Sequence, residues 1–387
     1  MQRTFENIID YVRTQLDTFE QRDVCRPDSL VFSVLAYFEL PQEAEDAYGP
    51  AGLPLKDLCR AEWFETMCGS LFNPQSSIEL LQAAAANPRF RDVRVSGYVS
   101  HTDARAEQQF SAMTFHLGPR ATYVAFRGTD NSIVGWKEDF NMAFAESVPA
   151  QESATLYVEG VAARTKGRLW LGGHSKGGNL AVYAGMNCSD ATFGRVVRCF
   201  SHDGPGFSEA CMARGRWSEA THVIDKTIPQ SSVIGMVFEH QEQGCKVVRG
   251  HGVGFAQHDP FSWEVEWRDF VFEKKLGVAA SHFDSSMNEW LQTSTPDERE
   301  RFVDAVFSVL AASGETTFGG VKRNWRLAVP KVLLAVAMLA PEDRQFVQRA
   351  ILDIWHTVMP DLPLADLRRL IGNGASGLKA LIAPKQE

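Results

Sequence analysis

A serine flanked by small residues, in the stretch GGHSKGGNLA at positions 172–181, is the first feature that could carry chemistry. It fits the pattern G-x-S-x-G, in which a nucleophilic serine lies on a strained turn between a strand and a helix. The apolar run RLWLG precedes the serine and GNLAVYAG follows it, as such a strand and helix would. Gly173 and Gly177 permit the turn, and His174 and Lys176 occupy its variable positions. We therefore predict that Ser175 is a nucleophile.

A serine nucleophile needs a histidine base and an acid, and the α/β-hydrolase chain order is serine, acid, histidine. His258, in FAQHDPFSW, follows the predicted strand CKVVRG and is the predicted base, with His251 as the reserve choice. Asp203, in CFSHDGPGF, follows an apolar strand and precedes a Gly-Pro-Gly turn, so it is the predicted acid. Asp225, after HVI, is the competing candidate.

An oxyanion hole requires two donors, one of which is the backbone N–H of the residue after the nucleophile, here Lys176. Thr129 ends the buried run YVAFRGT and is the candidate for the second donor, through its backbone N–H and its hydroxyl. The side chain of Lys176 is either solvated and without a role, or it attracts an acidic substrate or leaving group.

Several segments resemble known families. Phe126 to Thr129, with Trp136 and Asp139 downstream, is similar to the FRGT…W…D segment of class-three, fungal-type lipases, in which the residue matching Thr129 contributes to the oxyanion hole. The motifs FRGTD, GHSKGGNLA, DGPGF, IPQSSVIGM and QHDPFSW together resemble an uncharacterised bacterial branch of these hydrolases, the Mbeg-like domain of unknown function, over roughly residues 1–275. Class-three lipases carry their acid in a later loop, whose match here has Ser231 or Ser232 instead. This departure moves the predicted acid to Asp203.

The order of predicted elements indicates an α/β-hydrolase fold with a mostly parallel central sheet. Two helices are predicted within residues 1–40, the second capped by Asp28, and QFSAMTFHL and ATYVAFRG are predicted to be paired strands. A helix around 150–165, then RLWLGG, a helix, and VVRCFSH alternate, and HVIDKTI and CKVVRG are candidate later strands. Helices are expected on both faces of this sheet.

The chain is predicted to contain a hydrolase domain at 1–283, with a helical part at 1–90 and a core at 91–283, and a helical region at 284–387. Within the last region, Thr295 is the predicted N-cap of a helix, with Pro296 after it and Glu298 completing a capping box. The segment PEDRQFVQRAILDIWHTVM is predicted to form a further amphipathic helix.

Composition excludes several classes of function. The net charge of -9 argues against a nucleic-acid binder, and seven scattered cysteines without a CxxC pair argue against a zinc site or a disulfide framework. The N terminus is unlike a signal or transit peptide, and the longest apolar run, VLLAVAMLA, is too short to span a bilayer. We therefore expect a cytoplasmic protein.

The predicted activity is that of a lipase- or esterase-like serine hydrolase that acts on a small-molecule or lipid acyl ester and needs no cofactor or metal. A thioesterase or acyltransferase would use the same triad, so those activities remain alternatives. A third alternative is a non-catalytic hydrolase-fold protein that uses region 284–387 to bind a partner. The sequence does not predict the oligomeric state.

Overall fold

The computed structural model describes residues 6–44, 52–130, 132–142, 146–232, 234–236, 244–252, 254–277, 295–315, 321, 324–339 and 347. Within these residues the chain forms a nine-stranded sheet in the order β1-β2-β3-β4-β5-β6-β7-β8-β11, and a separate hairpin of β9 and β10. The strands are β1 (Leu53–Pro54), β2 (Arg94–Asp103), β3 (Gln108–Gly118), β4 (Ala121–Phe126), β5 (Arg168–His174), β6 (Val196–His202), β7 (Ile224–Pro229), β8 (Lys246–Val248), β9 (Val265–Glu266), β10 (Asp269–Phe270) and β11 (Phe272–Glu273).

The sheet is mixed, so the prediction of a mostly parallel sheet is wrong. Strands β4 to β8 pair in parallel, whereas β1 to β4 and the β8–β11 pair are antiparallel. The turns between β2 and β3 and between β3 and β4 are too short for a crossover, which parallel pairing requires. Ser175 and Asp203 directly follow strands β5 and β6 of the parallel part.

Helices cover both faces of the sheet, as predicted. Alternate residues of one strand point to opposite faces. Tyr123 and Ala125 of β4 belong to one hydrophobic core, and Val124 and Phe126 belong to the other. The α-helices in the described residues are α1 (Ile8–Thr14), α2 (Arg26–Leu35), α3 (Phe64–Cys68), α4 (Pro74–Ala86), α5 (Ile133–Asn141), α6 (Pro149–Arg164), α7 (Lys176–Asn187), α8 (Asp190–Phe193), α9 (Glu209–Arg214), α10 (Trp217–Ala220), α11 (Pro296–Ala311) and α12 (Trp325–Met338).

The predicted N-cap of the second helix is wrong. Cys25 occupies the N-cap of α2, and Asp28 lies within the first turn, where its carboxylate accepts a hydrogen bond from the Cys25 N–H at 2.9 Å. Helix α2 starts ahead of Asp28 because proline is tolerated in the first turn, and Pro27 lies there.

Helix α11 carries the predicted capping box, with the Thr295 hydroxyl accepting from the Glu298 N–H and the Glu298 carboxylate accepting from the Thr295 N–H. Its buried residues, among them Val306 and Leu310, form a third apolar cluster with Ile133 and Trp136 of α5. Helix α11 therefore packs against α5, the helix that follows Thr129. The helix predicted at 341–359 lies outside the described residues, apart from Val347.

Candidate active site

Ser175 lies on the predicted turn between β5 and α7. Its backbone has φ 59° and ψ −134°, a strained left-handed conformation for a residue with a side chain. A Cβ on Gly173 would lie 2.2 Å from the backbone of Gly177, so the turn can close only with glycine there. Ser175 is the N-cap of α7, yet its hydroxyl makes no capping hydrogen bond. The turn has the geometry of a nucleophile elbow.

The register of the parallel strands gathers the predicted residues at one edge of the sheet. His174 pairs with His202, so Ser175 and Asp203 are the next residues on neighbouring strands. Phe126 of β4 pairs with Gly173, which brings the following loop to the other side of Ser175. A Cβ built on Gly128 in that loop would lie 3.0 Å from the Ser175 Cβ.

Asp203 and His258 form a close pair at this edge. The His258 Nδ1 donates a hydrogen bond of 2.6 Å to Oδ2 of Asp203. Asp203 is completely buried, and burial by itself would raise the pKa of its carboxyl group. The hydrogen bond and electrostatic interaction with His258, together with the hydrogen bond from Ser232, outweigh burial and hold that pKa below its usual value. Asp203 is therefore an ionised group that accepts from His258.

The alternative acid and base lie in other surroundings. Asp225 binds Arg26, with Nε–Oδ1 and Nη2–Oδ2 distances of 2.8 Å each. His251 is half-buried, and its Nε2 lies 2.8 Å from the carboxylate of Glu264. The structure brings together Asp203 and His258, and it occupies Asp225 and His251 with other partners.

Three residues that the sequence analysis did not single out for this purpose hold the Asp203–His258 pair in place. The second carboxylate oxygen of Asp203, Oδ1, accepts from the Ser232 hydroxyl and from the Gly235 N–H at 3.1 Å. Ser232, in the segment that resembles the acid-bearing loop of class-three lipases, therefore hydrogen-bonds to Asp203. Gln257 is completely buried and bonds the N–H of Ser231 and the carbonyl of Gly250, which anchors the loop before His258.

His174, assigned only to a variable position of the motif, contacts the backbone of His258. Its Nε2 lies 2.8 Å from the His258 carbonyl oxygen, which can only accept, so Nε2 carries the proton. The hydroxyl of Tyr37 then donates to Nδ1 of His174 at 3.2 Å. Burial lowers the pKa of His174 to about 3, so its ring is neutral at physiological pH. This contact holds the main chain of His258 beside the serine turn.

Thr129 and Lys176 lie on the far side of Ser175 from His258 along the sheet. Thr129 is buried, and its hydroxyl donates to Oδ2 of Asp139. The Lys176 side chain is also buried, and its Nζ binds Glu138 at 2.9 Å. Both sequence interpretations of this side chain, as solvated or as a substrate attractant, are therefore wrong. A lone lysine in a motif gives no indication of a carboxylate partner 38 residues away.

Within the described parts of the chain, no group of three or more His, Cys, Asp or Glu residues is arranged to hold a metal ion. In the same residues, no helix has the length and apolar character needed to cross a membrane.

The chain is thus a mixed α/β protein with a serine on an elbow turn and an Asp–His pair at the same sheet edge. The Mbeg1-like family model matches residues 84–308, more than half of the chain, and the protein belongs to that family. No curated protein matches it significantly.

Two lipases are among the solved structures that it matches. A Rhizomucor miehei lipase–propeptide complex shares 14% identity over 56% of this chain and 71% of its own, with a TM-score of 0.33. The M37 lipase shares 12% identity over 55% of this chain and 68% of its own, with a TM-score of 0.29.

Proposed function

We propose that this protein is a serine hydrolase that cleaves carboxylic esters through an acyl-enzyme on Ser175. The observation that carries the proposal is the buried Asp203 carboxylate, 2.6 Å from His258 Nδ1, at the sheet edge where Ser175 lies on its strained turn. Membership in the Mbeg1-like family agrees with it, since the same motifs resemble those of class-three lipases.

In the proposed reaction, Ser175 Oγ attacks the acyl carbonyl while His258 Nε2 accepts the hydroxyl proton. Asp203 accepts from Nδ1, which keeps the proton off Nε2 in the resting enzyme and stabilises the imidazolium that forms. The C–O bond to the alcohol breaks, and His258 returns the proton to the leaving oxygen. Water then attacks the acyl-enzyme by the same route and releases the acid.

The negative oxygen of the tetrahedral intermediate is proposed to bind the backbone N–H groups of Thr129 and Lys176. Lys176 is the first residue of α7, where the helix dipole also favours negative charge. The Thr129 hydroxyl donates to Asp139, so we assign it the role of orienting Thr129. This role replaces the direct donation to the oxyanion that the sequence analysis considered.

The test is a panel of p-nitrophenyl esters, phospholipids and acyl thioesters, assayed with the wild-type protein and with Ser175→Ala. Ester hydrolysis that disappears in the folded alanine variant supports the proposal. A preference for thioesters, or transfer to an added alcohol in place of water, would instead identify a thioesterase or acyltransferase. Equal rates in both proteins, or no turnover of any substrate, would contradict a serine hydrolase.

A further inference from the structure

The buried ammonium group of Lys176 has a complete set of acceptors. Its Nζ donates to the carbonyl oxygen of Gln109, to Oε1 of Gln109 and to Oε2 of Glu138, each at 2.9 Å. An ammonium has three N–H donors, so none is left for a substrate. A buried charge is costly unless it is paired and hydrogen-bonded. The arrangement therefore calls for a reason other than substrate attraction.

Glu138, the partner of Lys176, connects four parts of the fold. It lies on α5 and is completely buried. Its Oε2 also accepts from the Gln109 N–H of β3, and its Oε1 accepts from the Ala150 N–H in the first turn of α6, both at 2.9 Å. Because Lys176 lies at the start of α7, the Lys176–Glu138 ion pair fixes helix α5 against the sheet next to the Ser175 turn.

Asp139, the next residue of α5, links this pair to Thr129. Its Oδ2 accepts the Thr129 hydroxyl hydrogen, whereas its buried Oδ1 has no hydrogen-bond partner. That oxygen lies 3.7 Å from Lys176 Nζ, so the ammonium charge compensates it. Burial raises the pKa of Asp139 to about 6, and the charge of Lys176 opposes the rise. Lys176 therefore favours the ionised form, which accepts from Thr129.

We propose that Lys176 is a positioning residue of the oxyanion hole, whose ammonium holds Glu138 and Asp139 so that Asp139 fixes Thr129 beside Ser175. This inference rests on the proposed hydrolase function. Lys176 would then contribute to the oxyanion hole in two ways. Its backbone N–H is a donor to the oxyanion, and its side chain positions Thr129, the residue that supplies the second donor. Removing the ammonium leaves the buried Glu138 carboxylate next to the half-buried Asp139 carboxylate without a compensating charge, so one of them must take a proton or move.

The test compares the wild-type protein with the double variant Lys176→Met/Glu138→Gln, which removes the cation and its partner charge together. We expect kcat for ester hydrolysis and the rate of fluorophosphonate inactivation to fall about tenfold to a hundredfold, because small displacements of an oxyanion donor have effects of that size. KM should stay within about twofold, since the ground-state ester makes no use of the hole. Rates are normalised to the folded fraction from thermal melts.

Lys137→Met is the matched control, because it removes a cation from the same helix that binds Glu107 and Asp304 instead. It should leave kcat unchanged. If Lys176 acts through Asp139, adding the double substitution to Asp139→Asn should lower kcat little further than Asp139→Asn alone. If the double variant does not fold, Glu138→Gln alone is isosteric and should lower kcat in the same direction.

The outcomes separate the two proposals. A double variant with the wild-type kcat and inactivation rate would overturn the positioning role and leave the hydrolase proposal intact. Effects that add fully to those of Asp139→Asn would overturn the route through Asp139. A wild-type protein that neither reacts with fluorophosphonate nor hydrolyses any ester would overturn both proposals.

Discussion

Asp203→Asn tests which nitrogen of His258 carries its proton. Both carboxylate oxygens of Asp203 accept, Oδ2 from His258 and Oδ1 from Ser232 and the Gly235 N–H. Asparagine has one oxygen and one NH₂ group, and the Gly235 N–H cannot become an acceptor. The oxygen of Asn therefore stays with Gly235, and its NH₂ faces His258. Nδ1 must then accept, which moves the proton to Nε2.

A His258 ring protonated on Nε2 cannot take the proton of Ser175. We expect kcat to fall about 10⁴-fold, the size of a wrong-tautomer lesion in other triads, which equals roughly 5.5 kcal/mol in the barrier. The change is isosteric and leaves the hydrogen bonds at Oδ1, so the folded structure should survive it. Replacing a charge-assisted hydrogen bond by a neutral one costs about 1 kcal/mol of stability.

The assay is p-nitrophenyl ester hydrolysis at saturating substrate, with circular dichroism and a thermal melt for each protein. Asp225→Asn is the matched control, because this carboxylate binds Arg26 and is expected to affect stability alone. An Asp203→Asn protein that keeps kcat within about tenfold of the wild-type value would refute the tautomer argument. So would an equal loss in Asp225→Asn.

Three further predictions follow from the same contacts. Thr129→Val should lower kcat about tenfold to a hundredfold, because Asp139 loses its hydrogen bond to the Thr129 hydroxyl. Thr129→Ser keeps the hydroxyl and should keep most of the activity. An unchanged kcat in the valine variant would show that the hydroxyl has no part in catalysis. Since burial lowers the folded-state pKa of His174 to about 3 from 6.5, its contribution to stability is complete above pH 6.5 and is lost as pH falls toward 3. Chemical denaturation should show the wild-type protein losing about 3 kcal/mol more than His174→Gln between pH 7 and 4, and identical losses would contradict the low pKa. We also propose that 284–387 is a helical region that shields the apolar side chains of Ile133 and Trp136 from water. Truncation after residue 283 should therefore lower the melting temperature and the solubility of the hydrolase domain. A truncated protein that is an equally stable, soluble monomer would indicate that 284–387 is a separate module.

Much of the site could be predicted because its signals are local in the sequence. The strand VVRCFSH coincides with β6, and RLWLGG with most of β5, since short apolar runs bounded by turns specify buried strands. Parallel strands then place the residues after them at one edge, which is why Ser175 and Asp203 could be expected together. The predicted pairing of QFSAMTFHL with ATYVAFRG is confirmed by β3 and β4. The sequence analysis assigns no strand to β1, β2 or β11, so it does not predict the other antiparallel pairs.

The parts that could not be predicted depend on contacts between distant residues. Lys176 binds Gln109 and Glu138, which lie 67 and 38 residues away, and nothing in the spacing of the motif indicates them. The same holds for the bond from His174 to the backbone of His258, 84 residues further on. Burial of a charged or titratable side chain in a motif is a tertiary property, and its partners come from other elements.

Fluorophosphonate labelling tests the central claim most directly, because the probe reacts with an activated serine and needs no knowledge of the substrate. Labelled protein is digested, and the modified peptide is identified by mass spectrometry for the wild-type, Ser175→Ala and Asp203→Asn proteins. The proposed triad predicts a single label on Ser175 in the wild-type protein, none in the folded Ser175→Ala variant, and much slower labelling in Asp203→Asn. Undiminished labelling of Ser175→Ala, or a wild-type protein that the probe does not modify, would contradict it.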